Sequence, residues 1–419
     1  MSAAAPDAAP GGACRVCRAP LRHTLVDLGV SPLCESYIPA ERLDVMEPHY
    51  PLHAYVCDGC WLVQVREYVR PEAIFTEYAY FSSYSDSWLA HAAAYVDRIV
   101  PRLGLGPGSL VVEVGSNDGY LLQYLVARGI PALGVEPARN VAAAATERGI
   151  PTIVDMFGRR AAQALVAAGR RADLLIGNNV LAQVPDLDDF VAGLALALAP
   201  GGVLTLEFQH LLRLLEESQF DTIYHEHFSY FSLGTAARVL AAHGLAVFDV
   251  EELPTHGGSL RVYAERRERA GRPASDRVPA LLARERAAGL ECLDAYAGFR
   301  ERVHEAKRAL LEFLIGARRA GKRVAGYGAP GKGNTLLNFC GIGTDLVECT
   351  VDRNPYKQGK FLPGSRIPIF APEHIAATRP DYLLILPWNL REEIMGQMAG
   401  IRAWGGQFVV PIPRVAVYP

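Results

Sequence analysis

The stretch around residue 225 holds the densest group of side chains able to move protons. Tyr224, His225, Glu226 and His227 follow one another directly. In a helix Tyr224 and His227 would share a face, whereas in a strand the two histidines would point away from the other two residues. In either arrangement a histidine can act as a base, with a neighbouring phenol or carboxylate to orient it. Two alternatives stay open: a zinc site, although the spacing is not H-E-x-x-H, and histidines that are hydrogen-bonded in a core.

Four cysteines occur as two C-x-x-C pairs, Cys14 with Cys17 and Cys57 with Cys60. Each pair can form a turn that directs two thiolates at one tetrahedral ion, and four sulfurs close the shell of a structural zinc ion. A closed shell has no open position for water, so we assign this metal no catalytic role. The alternative is four buried free cysteines. Cys34 lies between the pairs and is interpreted as a core residue.

A short apolar run that begins at Ser109 ends in a glycine-containing turn and continues into a helical pattern. Glycines let the backbone approach a bulky cofactor, and the helix N-terminus offers N–H groups to it. The predicted cofactor contacts in this turn are Glu113, Gly115, Ser116, Asn117 and Gly119. A second apolar run ends in Glu136 and Pro137, where a carboxylate can accept hydrogen bonds from ribose hydroxyls.

Two later apolar runs also end in polar residues. Asp155 and Met156 follow the third run, where a carboxylate can meet an adenine amino group. Asn178 and Asn179 follow the fourth, at the edge where ligands of open α/β sheets bind, and are assigned to the cofactor and the substrate respectively. These turns lack the regular G-x-G-x-x-G of dinucleotide folds. They resemble the first motifs of class I S-adenosylmethionine (SAM) methyltransferases.

A second glycine-rich turn lies near the C-terminus, at residues 328–335. Its backbone N–H groups and a lysine can hold a diphosphate. The predicted contacts are Gly331, Lys332, Asn334 and Thr335. Arg353 could add positive charge or be an ordinary surface residue. Taken alone, the segment could also bind a dinucleotide with Asp352 on a ribose, which would indicate an NAD-dependent oxidoreductase.

An aromatic patch precedes the first glycine turn and contains Tyr78, Tyr80 and Phe81. Such residues combine hydroxyls with apolar faces and suit a wall over a polar organic substrate. Ordinary packing of this linker on the following domain is the alternative.

Apolar strands alternate with helical segments at 110–114, 132–136, 152–155, 173–177 and 203–207. This alternation predicts a doubly wound parallel sheet in an α/β protein. A second, smaller α/β unit is predicted for the C-terminal region. The predicted segments are a disordered tail at 1–12, a zinc-binding module at 13–75, a SAM-binding domain at 76–265, connecting helices at 266–318 and a C-terminal α/β domain at 319–419.

The length, net charge and longest apolar runs of the chain exclude some classes of function. With 419 residues and a formal net charge of -3, the chain lacks the basic excess expected of a nucleic-acid-binding protein, so a zinc-ribbon nucleic-acid binder is a minority alternative. No apolar run approaches membrane-spanning length, and the N-terminus does not read as a signal peptide. We therefore expect a cytoplasmic monomer without a nucleic-acid or membrane partner, whose cysteines are thiols or metal ligands.

The cysteine pairs, the turn at 113–119, the block at 224–232 and the turn at 328–334 together resemble the nucleotide-sugar C-methyltransferases. Those enzymes methylate C-3 of TDP-4-keto-6-deoxyhexoses in deoxysugar and antibiotic biosynthesis. The resemblance spans residues 14–388, and the Tyr-His-Glu-His block is its most specific part. It implies SAM as methyl donor, a structural zinc ion, a TDP-linked keto-deoxysugar as substrate and nucleotide-sugar binding by the α/β domain at 319–419.

The resemblance also implies roles for single residues. His227 matches the family's base, Tyr224 and Glu226 match residues around the sugar, and Tyr78 matches a substrate-facing tyrosine. Gln183 is a departure, because the family has a sugar-lining histidine there. Glutamine can donate and accept hydrogen bonds, but it does not shuttle a proton near neutral pH. The sugar, or the protonation step after methylation, can therefore differ, and O-methylation of a sugar hydroxyl is a further alternative.

Overall fold

A computed structural model describes residues 11–269 and 271–419, so residues 1–10 of the predicted tail lie outside the described residues. The strands are β1 (His23–Ser31), β2 (Ile38–Pro39), β3 (Tyr50–Val56), β4 (Val63–Val65), β5 (Val111–Val114), β6 (Ala132–Val135), β7 (Thr152–Ile153), β8 (Ala172–Asn178), β9 (Leu198–Gln209), β10 (Ser229–Tyr230), β11 (Leu245–Leu253), β12 (Ser259–Arg266), β13 (Val324–Tyr327), β14 (Thr350–Val351), β15 (Lys360–Phe361), β16 (Ile369–Phe370), β17 (Tyr382–Ile385), β18 (Gln407–Val410) and β19 (Ala416–Tyr418).

The α-helices are α1 (Pro71–Phe75), α2 (Asp86–Leu103), α3 (Leu122–Val126), α4 (Arg139–Glu147), α5 (Arg159–Ala167), α6 (Leu187–Ala197), α7 (Leu211–Glu216), α8 (Leu233–Ala242), α9 (Arg277–Ala287), α10 (Asp294–Ala297), α11 (Phe299–Arg319), α12 (Gly331–Cys340), α13 (His374–Thr378) and α14 (Arg391–Gln397). In the described ranges, none of the helices is long and apolar enough to cross a membrane.

Backbone contacts divide the described chain into two units, each discontinuous in sequence. The first unit comprises the residues up to His23, Val56–Leu212 and Phe228–Ala295. The second comprises Thr24–Tyr55, Arg213–His227 and Tyr296–Pro419. The domain boundaries given above follow the sequence order and stay predictions.

The first unit is built on a sheet with the strand order β11-β12-β9-β8-β5-β6-β7. Strands β9, β8, β5, β6 and β7 run parallel, and β12 and β11 add an antiparallel edge. All residues of β5 are buried, as expected for a central strand of a parallel sheet with both faces covered. The predicted doubly wound sheet is confirmed, and the strand bounds differ from the predicted ones mainly at the ends.

The strand order places a ligand crevice at one edge of this sheet. The chain passes from β5 outward to β6 and β7 and then returns to β8 on the other side of β5. Such a reversal opens a crevice at the carboxyl ends of the strands, where open α/β sheets bind ligands. Gly115 directly follows β5, and Asn179 directly follows β8. The topology therefore brings the predicted cofactor segments to the same edge.

Helix α2 packs in the core of the first unit. The Ser85 hydroxyl accepts a hydrogen bond from the Trp88 backbone N–H at 3.3 Å, and the left-handed Gly104 ends the helix. Trp88 and Tyr95 belong to the same buried apolar cluster as Tyr120, which directly follows Gly119 in the chain. The helix thus fixes an indole ring beside the turn that follows β5.

The second unit contains a smaller sheet with the order β16-β14-β13-β17-β18-β19. Its neighbouring strands are parallel except for the pair β18 and β19. Strand β13 passes through a glycine turn into α12, which confirms the predicted second Rossmann-like α/β fold. Helix α11 buries Phe299, Val303, Leu310 and Leu314, a spacing typical of one apolar helix face.

Candidate active site

The turn after β5 has a backbone that can approach a cofactor closely. Gly115 (φ 66°), Asn117 (φ 50°) and Gly119 (φ 77°) lie in the left-handed region, which glycine adopts at little cost. A Cβ atom on Gly119 would approach Ile150 Cδ1 to 2.2 Å, so a larger residue would require the Ile150 side chain to move. The Gly115 N–H donates to Val135 O at 2.8 Å and ties the turn to the end of β6.

Buried polar groups border this turn. Glu136 accepts hydrogen bonds from the backbone N–H groups of Asn117 and Ala138, both at 2.9 Å. Burial raises the pKa of Glu136 to about 7, even though these bonds favour the ionised form. Burial also raises the pKa of Glu113, which is fully enclosed in β5. The buried Oδ1 atom of Asn178 has no hydrogen-bond partner among the described residues.

This arrangement fits SAM. Each carboxylate oxygen of Glu136 has two lone pairs, so it can accept from a ribose hydroxyl as well as from the backbone. The Asn178 carbonyl oxygen needs a donor, because a buried acceptor without one costs free energy. The Ser116 hydroxyl is likewise buried without a partner in the described part of the chain. A cofactor with ribose hydroxyls and an ammonium group supplies donors of this kind.

The predicted adenine contacts lie at the end of β7. Asp155 Oδ1 accepts a hydrogen bond from Arg160 Nη2 at 2.5 Å, and its side chain is 25% exposed. Met156 is half-buried beside it, as is Pro137 after β6. The adenine role of Asp155 stays a prediction, because an arginine engages the carboxylate in this structure.

The aromatic segment is attached to the cofactor turn through its backbone. Asn117 Nδ2 donates to Tyr80 O at 3.1 Å, and Asn117 Oδ1 accepts from Ser82 N at 2.8 Å. Farther along, Asn140 exchanges two hydrogen bonds with the Tyr78 backbone, at 2.7 and 3.1 Å. The segment therefore lies along the cofactor turn and is held by two asparagines.

The three aromatic side chains have different surroundings. Phe81 is buried and packs against Ala138 and Val141, with Tyr78 partly buried in the same cluster. Tyr80 is 37% exposed. Packing, the alternative considered above, therefore accounts for Phe81. The substrate-facing roles of Tyr78 and Tyr80 stay predictions.

The four paired cysteines converge in the first unit. Their sulfur atoms all lie within 4.8 Å of one another. Cys14 Sγ lies 3.5 Å from Cys60 Sγ, and Cys17 Sγ lies 3.4 Å from Cys57 Sγ. A tetrahedral zinc ion with Zn–S bonds of about 2.3 Å would hold its sulfurs roughly 3.8 Å apart. The cluster therefore fits one four-coordinate ion.

The two cysteine pairs share one local conformation. Arg18 N–H donates to Cys14 O at 3.0 Å, and Trp61 N–H donates to Cys57 O at 2.8 Å. Arg18 (φ 64°) and Trp61 (φ 65°) are both left-handed, so each C-x-x-C closes as the same tight turn. Gln64 Nε2 also donates to Cys14 Sγ at 3.2 Å. Matching turns are the reason that both pairs present their sulfurs to one point.

In the second unit, residues 224–227 form a turn rather than a helix or a strand. His227 N–H donates to Tyr224 O at 2.9 Å. The Tyr224 hydroxyl oxygen and His227 Nε2 are 3.0 Å apart, with ring centroids 4.1 Å apart. Both side chains are half-buried. The pairing expected of a helix thus occurs in a turn, and we refer to these residues as the Tyr224/His227 pair.

His225 points to a different environment. It is buried, its Nε2 lies 3.2 Å from Pro51 O, and its ring meets Tyr50 edge-on. Burial lowers the pKa of His225, so the neutral imidazole is favoured. This placement corresponds to the core alternative and does not favour the catalytic role predicted for His225.

Glu226 lies in a buried polar cluster. Its Oε2 atom accepts a hydrogen bond from the Cys34 thiol at 3.3 Å. Burial, followed by the charge of Glu35, raises the pKa of Glu226 to about 8. Glu35 in turn lies 3.4 Å from Lys357 Nζ and accepts from the Tyr37 hydroxyl at 2.9 Å. Glu35 and Tyr37 are not among the predicted site residues, although a charged residue in the apolar stretch at 30–39 is a usable signal.

Side chains of the second unit occupy the space around the glycine turn before α12. Ala329 O accepts from Lys357 Nζ at 2.8 Å and also from the Tyr37 hydroxyl. A Cβ atom on Gly331 would approach Cys34 Sγ to 2.8 Å, so this glycine makes room for a cysteine. The diphosphate role of the turn stays a prediction.

The carboxylate of Asp352 braces the same turn. It accepts from Ala329 N at 2.7 Å and from Asn354 N at 2.8 Å. Like Glu136, Asp352 keeps lone pairs for a further donor, so its geometry does not decide the interpretation as an NAD site. Arg353 is exposed, and its Nη1 lies 3.9 Å from Glu393 Oε1.

Helix α12 directs its polar side chains inward. Lys332 Nζ donates to Asn389 Oδ1 at 2.7 Å and lies 4.6 Å from the Trp388 ring centroid, and burial lowers the pKa of Lys332 to about 8. Asn334 donates to Cys34 O at 2.5 Å, and Thr335 donates to Ile223 O at 3.1 Å.

Asn334 and Thr335 are both buried. In this structure they brace the segments that carry Glu35 and Tyr224, rather than forming a surface for a substrate. The substrate-binding role predicted for these two side chains is not favoured by their placement.

Comparison with known proteins agrees with this architecture. Three family models match: a zinc binding domain at residues 14–75, a methyltransferase domain at 88–250 and a C-methyltransferase C-terminal domain at 254–413. C-methyltransferase NovU from Streptomyces niveus is 39% identical over 406 residues, 96% of each chain. A ubiquinone biosynthesis O-methyltransferase from Methylobacterium sp. (strain 4-46) is 35% identical over 107 residues, 24% of this chain and 42% of that one.

Among solved structures, magnesium protoporphyrin IX methyltransferase from Synechocystis PCC 6803 with bound SAM is 19% identical. It covers 43% of this chain and 82% of its own, with a TM-score of 0.32.

Fold and site together define a class I SAM-dependent methyltransferase with a cysteine-rich N-terminal module. Within that class, the chain belongs to the C-methyltransferase family, because the similarity to NovU extends over nearly the whole length of both chains. It is a SAM-dependent C-methyltransferase. The resemblance drawn from the sequence motifs is confirmed at the level of the family.

The raised pKa of Glu136 predicts a pH dependence of SAM binding. If Glu136 accepts the ribose hydroxyls, binding favours its ionised form and lowers the pKa from about 7. Affinity should then rise several-fold as the pH increases from 6 to 8 and level off above that range. Isothermal titration calorimetry at a series of pH values measures this. Glu136→Gln should bind more weakly with a flat profile, and an equally steep profile in that variant would contradict the assignment.

Proposed function

We propose that this C-methyltransferase methylates the carbon next to the ketone, C-3, of a TDP-4-keto-6-deoxysugar. The observation that carries the proposal is the Tyr224/His227 pair, a phenol and an imidazole 3.0 Å apart on half-buried side chains. Carbon methylation needs a base because a C–H bond is not nucleophilic. The nucleotide-sugar class is supported by the motif resemblance, in which the block at 224–232 is the most specific part.

The proposed chemistry begins with the proton on the carbon beside the ketone. His227 removes it: the C–H bond breaks, an N–H bond forms on the imidazole, and the electron pair becomes an enolate. The enolate carbon then forms the new C–C bond to the methyl group, whose bond to the sulfonium sulfur would break with its electron pair remaining on sulfur. SAM supplies an electrophilic methyl group when bound. Because His227 Nε2 lies against the Tyr224 oxygen, Nδ1 is the nitrogen that takes the proton when Nε2–H donates to that oxygen.

Other residues have supporting roles in this proposal. Tyr78, Tyr80, Asn179 and Gln183 are the proposed sugar contacts. Gln183 supplies hydrogen bonds without a titrating group. Lys332 and Arg353 supply the positive charge proposed for the diphosphate. Glu226 keeps the turn in place from within the buried cluster, where its raised pKa favours the uncharged carboxyl at neutral pH.

We further propose that the four paired cysteines hold one structural zinc ion. The support is the convergence of their sulfurs within 4.8 Å and the two matching turns. The match to a zinc binding domain over residues 14–75 agrees with it.

Proton NMR in deuterated water tests the proposed reaction. A TDP-4-keto-6-deoxysugar incubated with the enzyme should lose its C-3 proton signal by exchange, and a new methyl singlet should appear once SAM is added. O-methylation would give a methoxy signal without exchange at carbon. Exchange and methylation at C-5 would keep the substrate but replace C-3 with C-5 as the methylated carbon. No exchange and no methyl signal would overturn the proposed substrate class.

A further inference from the structure

The turn between β11 and β12 carries a histidine in an unusual backbone conformation. His256 has φ 54° and ψ 22°, and it is followed by Gly257 (φ 87°) and Gly258 (φ 120°). A left-handed conformation costs a residue with a Cβ atom free energy that glycine avoids. Non-glycine residues in this region cluster at functional sites. We therefore consider a functional role for the His256 imidazole.

His256 contacts a second left-handed residue at the edge of the sheet. Asn179 has φ 55°, and its backbone N–H donates to Glu207 O at 2.7 Å. Asn179 Nδ2 lies 3.2 Å from His256 Nε2. With the amide N–H donating to Nε2, the neutral ring carries its hydrogen on Nδ1. The asparagine thus fixes both the orientation and the tautomer of the imidazole.

The turn itself is anchored to the sheet. Thr255 Oγ1 donates to Glu207 Oε1 at 2.8 Å, and His210 N–H donates to Gly258 O at 3.0 Å. Burial alone would raise the pKa of Glu207, but the His91 hydrogen bond and the Arg261 charge bring it down to about 2. The anchor is therefore an ionised carboxylate at every pH at which the enzyme would be assayed.

Ring contacts connect His256 with the cofactor turn. The His256 and Trp88 ring centroids are 5.1 Å apart, and those of Trp88 and Tyr120 are 5.8 Å apart. The Tyr120 hydroxyl accepts a hydrogen bond from Asn178 Nδ2 at 3.2 Å. The imidazole accordingly lies at the carboxyl edge of β5 and β8, where the methyl donor binds and where the acceptor must meet it.

We propose that His256, held by Asn179, binds the methyl acceptor by donating a hydrogen bond to one of its oxygen atoms. A hydroxyl or keto oxygen of a sugar is the class of partner that a neutral imidazole N–H recognises. The proposal rests on the proposed function in taking a keto-sugar as the acceptor. His256 is half-buried, so it combines a fixed orientation with access to solvent.

Steady-state kinetics of His256→Ala and His256→Gln test the contact, with His243→Ala as the matched control. His243 is also in the first unit and pairs with Asp188 at 3.3 Å. His256→Ala should lower kcat/KM for the acceptor by about tenfold, as expected for one lost hydrogen bond, with the SAM Kd unchanged. His256→Gln, which retains a donor, should recover part of the loss. Equal values for His256→Ala and His243→Ala would overturn the proposal.

Asn179→Asp gives a readout that a purely structural role would not change. A carboxylate at 179 favours the imidazolium and should raise the pKa of His256. In the variant the carboxylate accepts from Nε2–H, so only the imidazolium keeps the Nδ1–H donor, and kcat/KM should fall as the pH rises through the pKa of His256. Among the described residues, the titratable and charged groups around the turn include Glu207, His91 and Arg261. An unmoved profile would contradict the proposal.

Histidine ¹⁵N NMR of the full chain separates this proposal from the proposed function. The His256 signal, identified by its loss in His256→Gln, should shift when S-adenosylhomocysteine binds and again when the acceptor is added. If S-adenosylhomocysteine does not shift the signal, the placement of His256 beside the cofactor is overturned, whatever the acceptor is. If the signal responds to S-adenosylhomocysteine but not to the keto-sugar, and the wild type does not methylate that sugar, the sugar is refuted as substrate. The proposed contact between His256 and a sugar oxygen then fails with it.

Discussion

Replacing His227 with asparagine should lower the rate of methyl transfer by about 10²- to 10⁴-fold, the usual contribution of a general base. Asparagine has nearly the shape of the imidazole but cannot take up a proton near neutral pH. The SAM Kd should stay unchanged, because His227 is not one of the predicted cofactor contacts. Single-turnover methylation, with calorimetry for SAM, measures both quantities.

The exchange experiment makes this prediction specific to proton removal. In deuterated water without SAM, His227→Asn should exchange the carbon-bound proton of the sugar more slowly by a similar factor. His374→Asn is the matched control, since His374 belongs to the second unit and stacks on Phe370. A His227→Asn protein with near-native exchange and methylation would remove His227 as the base.

Tyr224→Phe identifies which atom takes the proton. The Tyr224 oxygen lies 3.0 Å from His227 Nε2. If Nδ1 is the base, loss of the hydroxyl removes an orienting hydrogen bond, and the rate should fall by about tenfold. A loss as large as that of His227→Asn would instead make the phenol oxygen the proton acceptor, with His227 as the group that withdraws its proton.

The fold could be predicted largely from local pattern. Apolar runs such as β5 are buried on both faces, so their composition alone marks them as central parallel strands. The turn after β5 can be predicted equally well, because Gly115 and Gly119 are the residue type that positive φ angles favour. The two C-x-x-C pairs specify their own tight turns, and for that reason their convergence needed no knowledge of distant contacts.

The candidate catalytic segment is harder to predict from the sequence, because its burial pattern follows neither the helical nor the strand period. Residues 224–227 form a turn, in which Tyr224 and His227 are half-exposed while His225 and Glu226 are buried. Neither the helical nor the extended pattern produces this division. It depends on Pro51, Cys34 and Thr335, which contact the segment or its neighbour from remote positions in the sequence.

The glycine turn before α12 illustrates a second limit. A glycine can make room for a phosphate or for a neighbouring side chain, and both possibilities have the same local sequence. Here Cys34 occupies the space beside Gly331, and Lys357 and Tyr37 take the carbonyl of Ala329. The choice between the two depends largely on Cys34 and Tyr37, which lie nearly 300 positions away and which no local motif encodes.

Loss of the proposed zinc ion should unfold the N-terminal module. Four thiolates around zinc contribute roughly 10–16 kcal/mol in isolated zinc-finger peptides, and a module of this size has little core of its own. The purified protein should contain one zinc per chain, and Cys57→Ser should lose it. Residues near 13–75 should then become sensitive to protease at a temperature on the order of 10 °C lower than in the wild type. Cys292→Ser, at an exposed cysteine outside the cluster, should retain both zinc and protease resistance.

Metal exchange separates a structural ion from a catalytic one. A shell closed by four sulfurs has no position for water or substrate, so cadmium should restore the fold and the methylation rate to within about twofold of the zinc protein. A catalytic metal would instead change the rate with its Lewis acidity. A zinc-free wild type of normal stability would refute the metal site, and a rate that follows the identity of the metal would transfer part of the chemistry from the Tyr224/His227 pair to the cysteine cluster.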